Sequence, residues 1–148
     1  MSKGNTFESD LLLLIFNNTG AALIGDATGL RGSTTAGSLY VALHTADPGE
    51  TGDQTTSEAT YTSYARVAVA RSGSGWTISG TAPTQAANAA AVTFPTCTGG
   101  SSTCTYFSVG VAASGASKIL YSGAITSLAV TNGITPTAAI GALVCTED

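Results

Sequence analysis

Apolar and polar positions alternate along this chain in two rhythms, a helical one at the start and a strand-like one over most of the rest. Phe7, Leu11, Leu14 and Ile15 recur at i, i+4, i+7 and i+8, which predicts a helix within residues 1–20. Asn5 with Glu8 three residues later has the form of a capping box. Glu8 and Asp10 fall in the first turn, where the helix dipole favours negative charge, and Asn17-Asn18-Thr19-Gly20 supplies a stop. Leu12 and Phe16 widen the apolar face, so the helix must cover the domain's own core or dock on a partner. We expect it to cover the core. From Ala21 to Gly37 the large apolar residues are Leu23, Ile24 and Leu30 alone, amid Gly, Thr and Ser, which predicts a long loop or arm over 21–37.

Beyond the arm the period shortens to two. Leu39, Val41 and Leu43 alternate with Tyr40, Ala42 and His44, and Ala65, Val67 and Val69 alternate with Tyr64, Arg66 and Ala68. Gly73-Ser74-Gly75 then turns into Trp76-Thr77-Ile78. Ala86 to Ala91 has helix propensity but leads into a strand ending at Val92-Thr93-Phe94. Thr105, Phe107, Val109 and Val111 alternate again. Lys118 to Tyr121, Leu128 to Val130 and Ile140 to Cys145 follow, separated by Gly123, Asn132-Gly133 and Gly141. About eight short strands with such spacing predict an all-β fold, a β-sandwich or jelly roll over 38–148. No fixed repeat and no linker interrupts it, so residues 1–148 read as a single β-rich domain.

Composition sharpens this picture. Ala, Thr, Gly and Ser supply 82 of 148 residues, and charged residues are 9% against a usual share of about 25%. Exposed helices normally present long charged side chains, so this scarcity disfavours a helical bundle. Lys3, Arg31, Arg66, Arg71 and Lys118 are scattered and the net charge is -4. Neutralising phosphates takes a basic stripe, so direct nucleic-acid binding is not expected. The apolar run from Leu11 to Phe16 is far shorter than the roughly 20 residues of a membrane span. Glu8 and Asp10 immediately before it do not fit a signal peptide, so synthesis and folding in a cytoplasm are expected.

Candidate chemistry centres on residues 38–71, where the chain's one histidine, His44, lies near Asp47, Glu50 and Asp53. A Ser-His-Asp triad would need an activated Ser, and no nucleophile elbow of the G-x-S-x-G kind occurs. We expect no catalytic site, with His44 instead a strand-end residue that hydrogen-bonds the following loop. Asp47, Glu50, Asp53 and Glu58 offer oxygens to calcium, but their spacing lacks the alternating ligands of an EF-hand. No metal and no cofactor is expected. Tyr40, Tyr61, Tyr64, Tyr106, Tyr121 and Trp76 suit either partner binding or packing. Cys97 and Cys104 flank a Gly99-Gly100 turn, so a hairpin disulfide fits if the flanking strands come into register. For a cytoplasmic product we favour three reduced thiols, with Cys145 the third.

The stretch from Leu39 to Arg71, LYVALHTADPGETGDQTTSEATYTSYARVAVAR, resembles a group of small tailed-bacteriophage proteins. They share L-Y-V-x-L-H-T-x-D-P-G-x-x-G followed by Y-x-x-Y-A-R-V-A-V-x-R and commonly bear the label tail fibre. The likeness extends to the opening MSKGNTFESDLLLLIF and, more loosely, to Gly75-Trp76-Thr77, TFPTCTGG, TYFSVG and KILYSGAI. It implies a non-enzymatic virion protein. With no heptads or fibrous repeat, the expectation is a capsid decoration, or cement, protein on the capsid exterior. Its partners would be the major capsid protein and further copies of itself, as a trimer or dimer, with no membrane partner. The alternative is a tail fibre, baseplate or adaptor component that binds a host receptor. The expected contact elements are the helix around Phe7, Leu11 and Phe16, the arm carrying Leu23 and Leu30, and the loop carrying Asp47, Glu50, Asp53 and Glu58.

Overall fold

The computed structural model describes residues 3–21, 32, 34–81 and 83–147. Leu23, Leu30 and most of the expected arm lie outside the described residues. Among the described residues there are one helix, α1 (Asn5–Asn17), and nine strands in antiparallel sheets. The strands are β1 (Ser38–His44), β2 (Val67–Ala70), β3 (Trp76–Ser79), β4 (Thr84–Asn88), β5 (Val92–Thr93), β6 (Ser101–Gly110), β7 (Ile119–Thr131), β8 (Thr137–Ala138) and β9 (Val144–Glu147). The all-β class with a short N-terminal helix is as the alternation predicts. By its contacts the chain forms two compact units, one of residues 1–38, 70–90 and 140–148, the other of 39–69 and 91–139.

In the first unit α1 packs on the sheet β3-β4-β9. The buried helix positions are Glu8, Leu12 and Phe16, one turn apart, while Phe7 is exposed and Leu11 half-buried. The apolar face is thus rotated by about one residue from the expected one, because Phe16 seeks Trp76, which it meets edge-on at 4.8 Å. This carries Glu8 under the helix, where its Oε2 has no hydrogen-bond partner, and the expected capping box does not form. The N-cap is Gly4, with no side-chain cap. The predicted stop holds: Asn18 adopts the left-handed conformation and Thr19 N–H returns to the Leu13 carbonyl. The Arg71 guanidinium then donates to the Ile15 and Leu14 carbonyls, placing positive charge on the negative end of the helix.

β4 overlaps the start of the stretch, Ala86 to Ala91, whose alanines suggested helix. Thr84, Ala86 and Asn88 point inward at alternate positions, and pairing with both β3 and β9 outweighs local propensity. At its end the Asn88 side chain accepts from Leu143 N–H at 2.8 Å.

The second unit holds the four-stranded sheet β2-β1-β6-β7 and the short pair β5-β8. β1 runs antiparallel to β6, from Tyr40 opposite Gly110 to His44 opposite Tyr106. Val41, Leu43, Phe107 and Val109 are buried, and so are Ala42, His44 and Ser108 between them, so both faces of this pair are covered. β7 continues unbroken through Gly123, where two separate strands were expected. A Cβ on Gly123 would lie 2.8 Å from the Phe107 ring, so here glycine allows close approach rather than a turn. Tyr61 and Tyr64 pack edge-on at 5.3 Å, with Tyr64 stacked on Phe94 at 6.3 Å.

Cys97, Cys104 and Cys145 are free, buried thiols. The strand before the Gly99-Gly100 turn, β5, pairs with β8 rather than with β6, so the register that a hairpin disulfide needs is not formed. The Cys97 thiol lies 3.3 Å from the Gly99 carbonyl instead, and burial pushes the Cys145 thiol up to about 12.

Candidate functional site

The segment between β1 and β2 folds back over the polar side of the β1–β6 pair, and small residues there make room for it. Gly110 leaves no space for a methyl group because the Gln54 side chain occupies it, fully buried. Gln54 Nε2 donates to the Tyr40 carbonyl at 2.9 Å and to Ser108 Oγ at 3.4 Å, and its Oε1 accepts from Ser117 Oγ at 2.6 Å. Backbone bonds from Thr45 N–H to the Ser57 carbonyl and from Ala59 N–H to the Leu43 carbonyl, both 2.8 Å, close the loop at its base.

Arg66 ties this segment down. Its guanidinium makes a two-pronged ion pair with Glu58, Nε to Oε1 at 2.7 Å and Nη2 to Oε2 at 2.9 Å. It also donates to the Ala112 and Gly115 carbonyls at 3.1 and 2.9 Å, gripping the connection between β6 and β7. The Arg66 side chain is 2% exposed and that of Glu58 16%. Tyr64 bridges the pair to β1: its hydroxyl donates to Glu58 at 3.0 Å and accepts from Leu43 N–H at 3.0 Å. Burial raises the Tyr64 phenol well above its ordinary range, which keeps it a donor. The Glu58 hydrogen bonds raise the Arg66 guanidinium further still.

His44 is fully buried. Its Nδ1 lies 2.8 Å from the Thr56 carbonyl and its Nε2 2.7 Å from Ser108 Oγ. A carbonyl only accepts, so the proton sits on Nδ1 and Ser108 donates to Nε2. Burial lowers the pKa of the imidazole, only partly opposed by the Thr56 carbonyl, and the ring stays neutral. His44 therefore bonds the loop that follows it, as expected of a strand-end residue. The pair with Ser108 has the spacing of a base and nucleophile, yet both residues are at 0% exposure and the group that orients His44 is a backbone carbonyl. Asp47 takes no part in it and accepts instead from Gly49 N–H at 2.9 Å.

The four acidic residues of the loop therefore have separate roles. Glu58 is spent on Arg66, which removes it from the expected contact surface. Asp53 is a turn-former: its Oδ1 accepts from Thr55 N–H at 2.7 Å and from the Thr55 hydroxyl, bonds that lower its pKa. Asp47 and Glu50 are exposed, and with Gly49 and Gly52 they line a groove of about 370 Å³ whose other wall is Ile119, Leu120, Tyr121 and Ser122. On the helix, Phe7 remains available at 40% exposure, but Phe16 is sealed against Trp76 and cannot meet a partner. Sequence reading missed Gln54, Ser108 and Ser117, because a polar residue that fills space beside glycine carries no periodic signal.

Two comparisons bear on this arrangement. The family model described as podophage GP4 fiber I protein gp80 matches residues 16–146, which include the whole of the pinned loop and its supports. No curated protein matches the sequence.

Proposed function

The chain belongs to the podophage GP4 fiber I protein family and is a phage virion structural protein, and on that premise we propose that it is a non-enzymatic capsid decoration protein. In this reading it binds the major capsid protein on the outer face of the shell. The observation that carries the reading is the way the polar network is used. His44, Gln54, Glu58, Arg66 and Ser108, the groups best suited to chemistry, all hold the loop in place, while Asp47 and Glu50 at its tip face outward. A loop fixed before binding loses less entropy on docking, which suits a clamp repeated over many copies.

The experiment is to purify expanded heads from a tail-defective mutant and measure how much of this protein they carry. Decorated heads are expected, and replacing Asp47 and Glu50 together with Lys should cut binding to undecorated heads about tenfold. Heads without the protein would overturn the reading. A second reading, a fibre or adaptor component at the tail, is favoured by the family's own description as a fibre protein. It requires the protein to remain with tails separated from heads.

A further inference from the structure

Each hydrogen in the network behind the folded-back loop has one place to go. At one end the Thr56 carbonyl only accepts, so His44 carries its hydrogen on Nδ1 and presents a lone pair on Nε2, to which Ser108 donates at 2.7 Å. At the other end Arg66 Nη1, which only donates, lies 3.3 Å from Gln54 Oε1, and the Tyr40 carbonyl, which only accepts, lies 2.9 Å from Gln54 Nε2. These two neighbours fix which way the amide faces, so Gln54 gives its other hydrogen to Ser108 Oγ at 3.4 Å. Ser108 therefore accepts from Gln54 and donates to His44, and the chain of bonds runs in one direction from the Arg66 guanidinium to the Thr56 carbonyl. His44, Gln54 and Ser108 are all at 0% exposure, so the chain is cut off from water.

We propose that this chain of bonds is an acid-operated latch: a second proton on the His44 ring releases the loop of residues 45–57 from the β1–β6 pair while the sheets stay folded. The proton enters at Nε2, which then points a hydrogen at the hydroxyl hydrogen of Ser108. If Ser108 turns its hydrogen away, its oxygen faces two donors, His44 and Gln54, and the displaced hydrogen needs a new acceptor in a site without water. The longest bond, from Gln54 to Ser108, is the one that gives, and Gln54 is the side chain that fills the space beside Gly110. The charged groups acting on the ring are Glu58 and Asp47, which favour the added proton, and Arg66, which opposes it. Glu58 is already committed to Arg66, and β6 places only the phenol of Tyr106 opposite His44. When the loop opens, the imidazole returns to water and takes a proton at its ordinary 6.5, whereas burial in the closed loop lowers that value. Opening is thereby coupled to proton uptake and becomes more frequent as pH falls below 6.5. The tip carrying Asp47 and Glu50 is then a fixed surface at neutral pH and a loose one in acid. This inference rests on the placement of hydrogens within the loop's support, not on the capsid reading, so a latch that works in a protein absent from heads would leave it standing.

The test is native-state hydrogen exchange of the purified full chain at about pH 7.5 and about pH 5.5, each amide expressed as its protection relative to an unstructured peptide at the same pH. The reporters are the amides that close the loop, Thr45 on the Ser57 carbonyl and Gln54 on the Ser117 carbonyl. They are expected to be less protected than amides of β6 at both values and to lose about fivefold in protection at the lower one through proton linkage. His44→Gln keeps a donor for Thr56 and an acceptor for Ser108 but cannot take the proton, and should abolish that loss. Loop amides as protected as those of β6, no loss in acid, or an equal loss in His44→Gln would overturn the proposal. If the variant does not fold, the imidazole nitrogens of the unaltered chain decide, since its one histidine gives one pair of nitrogen resonances. The expected result is a hydrogen on Nδ1 alone at about pH 7.5, and protonation of Nε2 in acid together with shifts of amide signals in 45–57 but not in β6. A ring protonated on Nε2 at about pH 7.5, or one that titrates while the loop signals stay still, would overturn it.

Discussion

Arg66 and Glu58 contribute more to this protein than their charge. The guanidinium meets two carboxylate oxygens and two backbone carbonyls in a site from which water is nearly excluded, so its loss strands several polar groups at once. Arg66→Leu should cost about 3–5 kcal/mol by leaving the Glu58 carboxylate unpaired. Removing both partners, Arg66→Leu with Glu58→Leu, should cost less than Arg66→Leu alone. Urea denaturation of the three proteins checks this, and a double variant as unstable as the sum of its singles would count against a direct pair.

His44 gives the fold a pH dependence with a definite sign. Burial lowers its folded pKa below the ordinary 6.5, so near and below that value the unfolded chain takes up a proton that the folded chain refuses. Stability is then fully present above 6.5 and declines as pH falls through it. Asp53, lowered from 3.8, loses its contribution only in a more acidic range. Melting temperature should fall by several degrees between about pH 7.5 and about pH 5, and His44→Gln should flatten that slope. An equal slope in both proteins would show that another group titrates.

At the level of elements, the folded-back loop and β1–β6 are one construction that depends on the absent side chain of Gly110. Gly110→Ala should cost about 1–3 kcal/mol by overpacking, and a second change, Gln54→Ala, should recover part of it by vacating the space. Thermal melts of the single and double variants test that coupling. The same region marks how far the sequence could be read. Strands β1 and β2 were legible because Leu39, Val41, Leu43, Val67 and Val69 keep a period of two, and the end of α1 was legible from its asparagines. β4 was obscured by alanines whose local preference is overridden by two neighbouring strands. β7 was split in expectation because Gly123 looks like a turn when its neighbour Phe107 is not yet known. The helix face was misjudged by one position because Phe16 and Trp76, 60 positions apart in the sequence, pack against each other, a contact that local periodicity does not contain.

For the whole molecule, the loop that first looked like a cluster of catalytic residues is a support structure with an acidic tip. Of the residues expected to meet a partner, Phe16 and Glu58 turn inward, while Phe7, Asp47 and Glu50 stay outside. Family membership places the protein among virion structural components, and the proposed decoration role rests on the loop being fixed before it binds. Immunogold labelling of intact virions with antibody to this protein tests that role most directly, since head and tail are well separated in the electron microscope. The account predicts gold over the surface of the head on most particles. Gold confined to the tail, with bare heads, would contradict it.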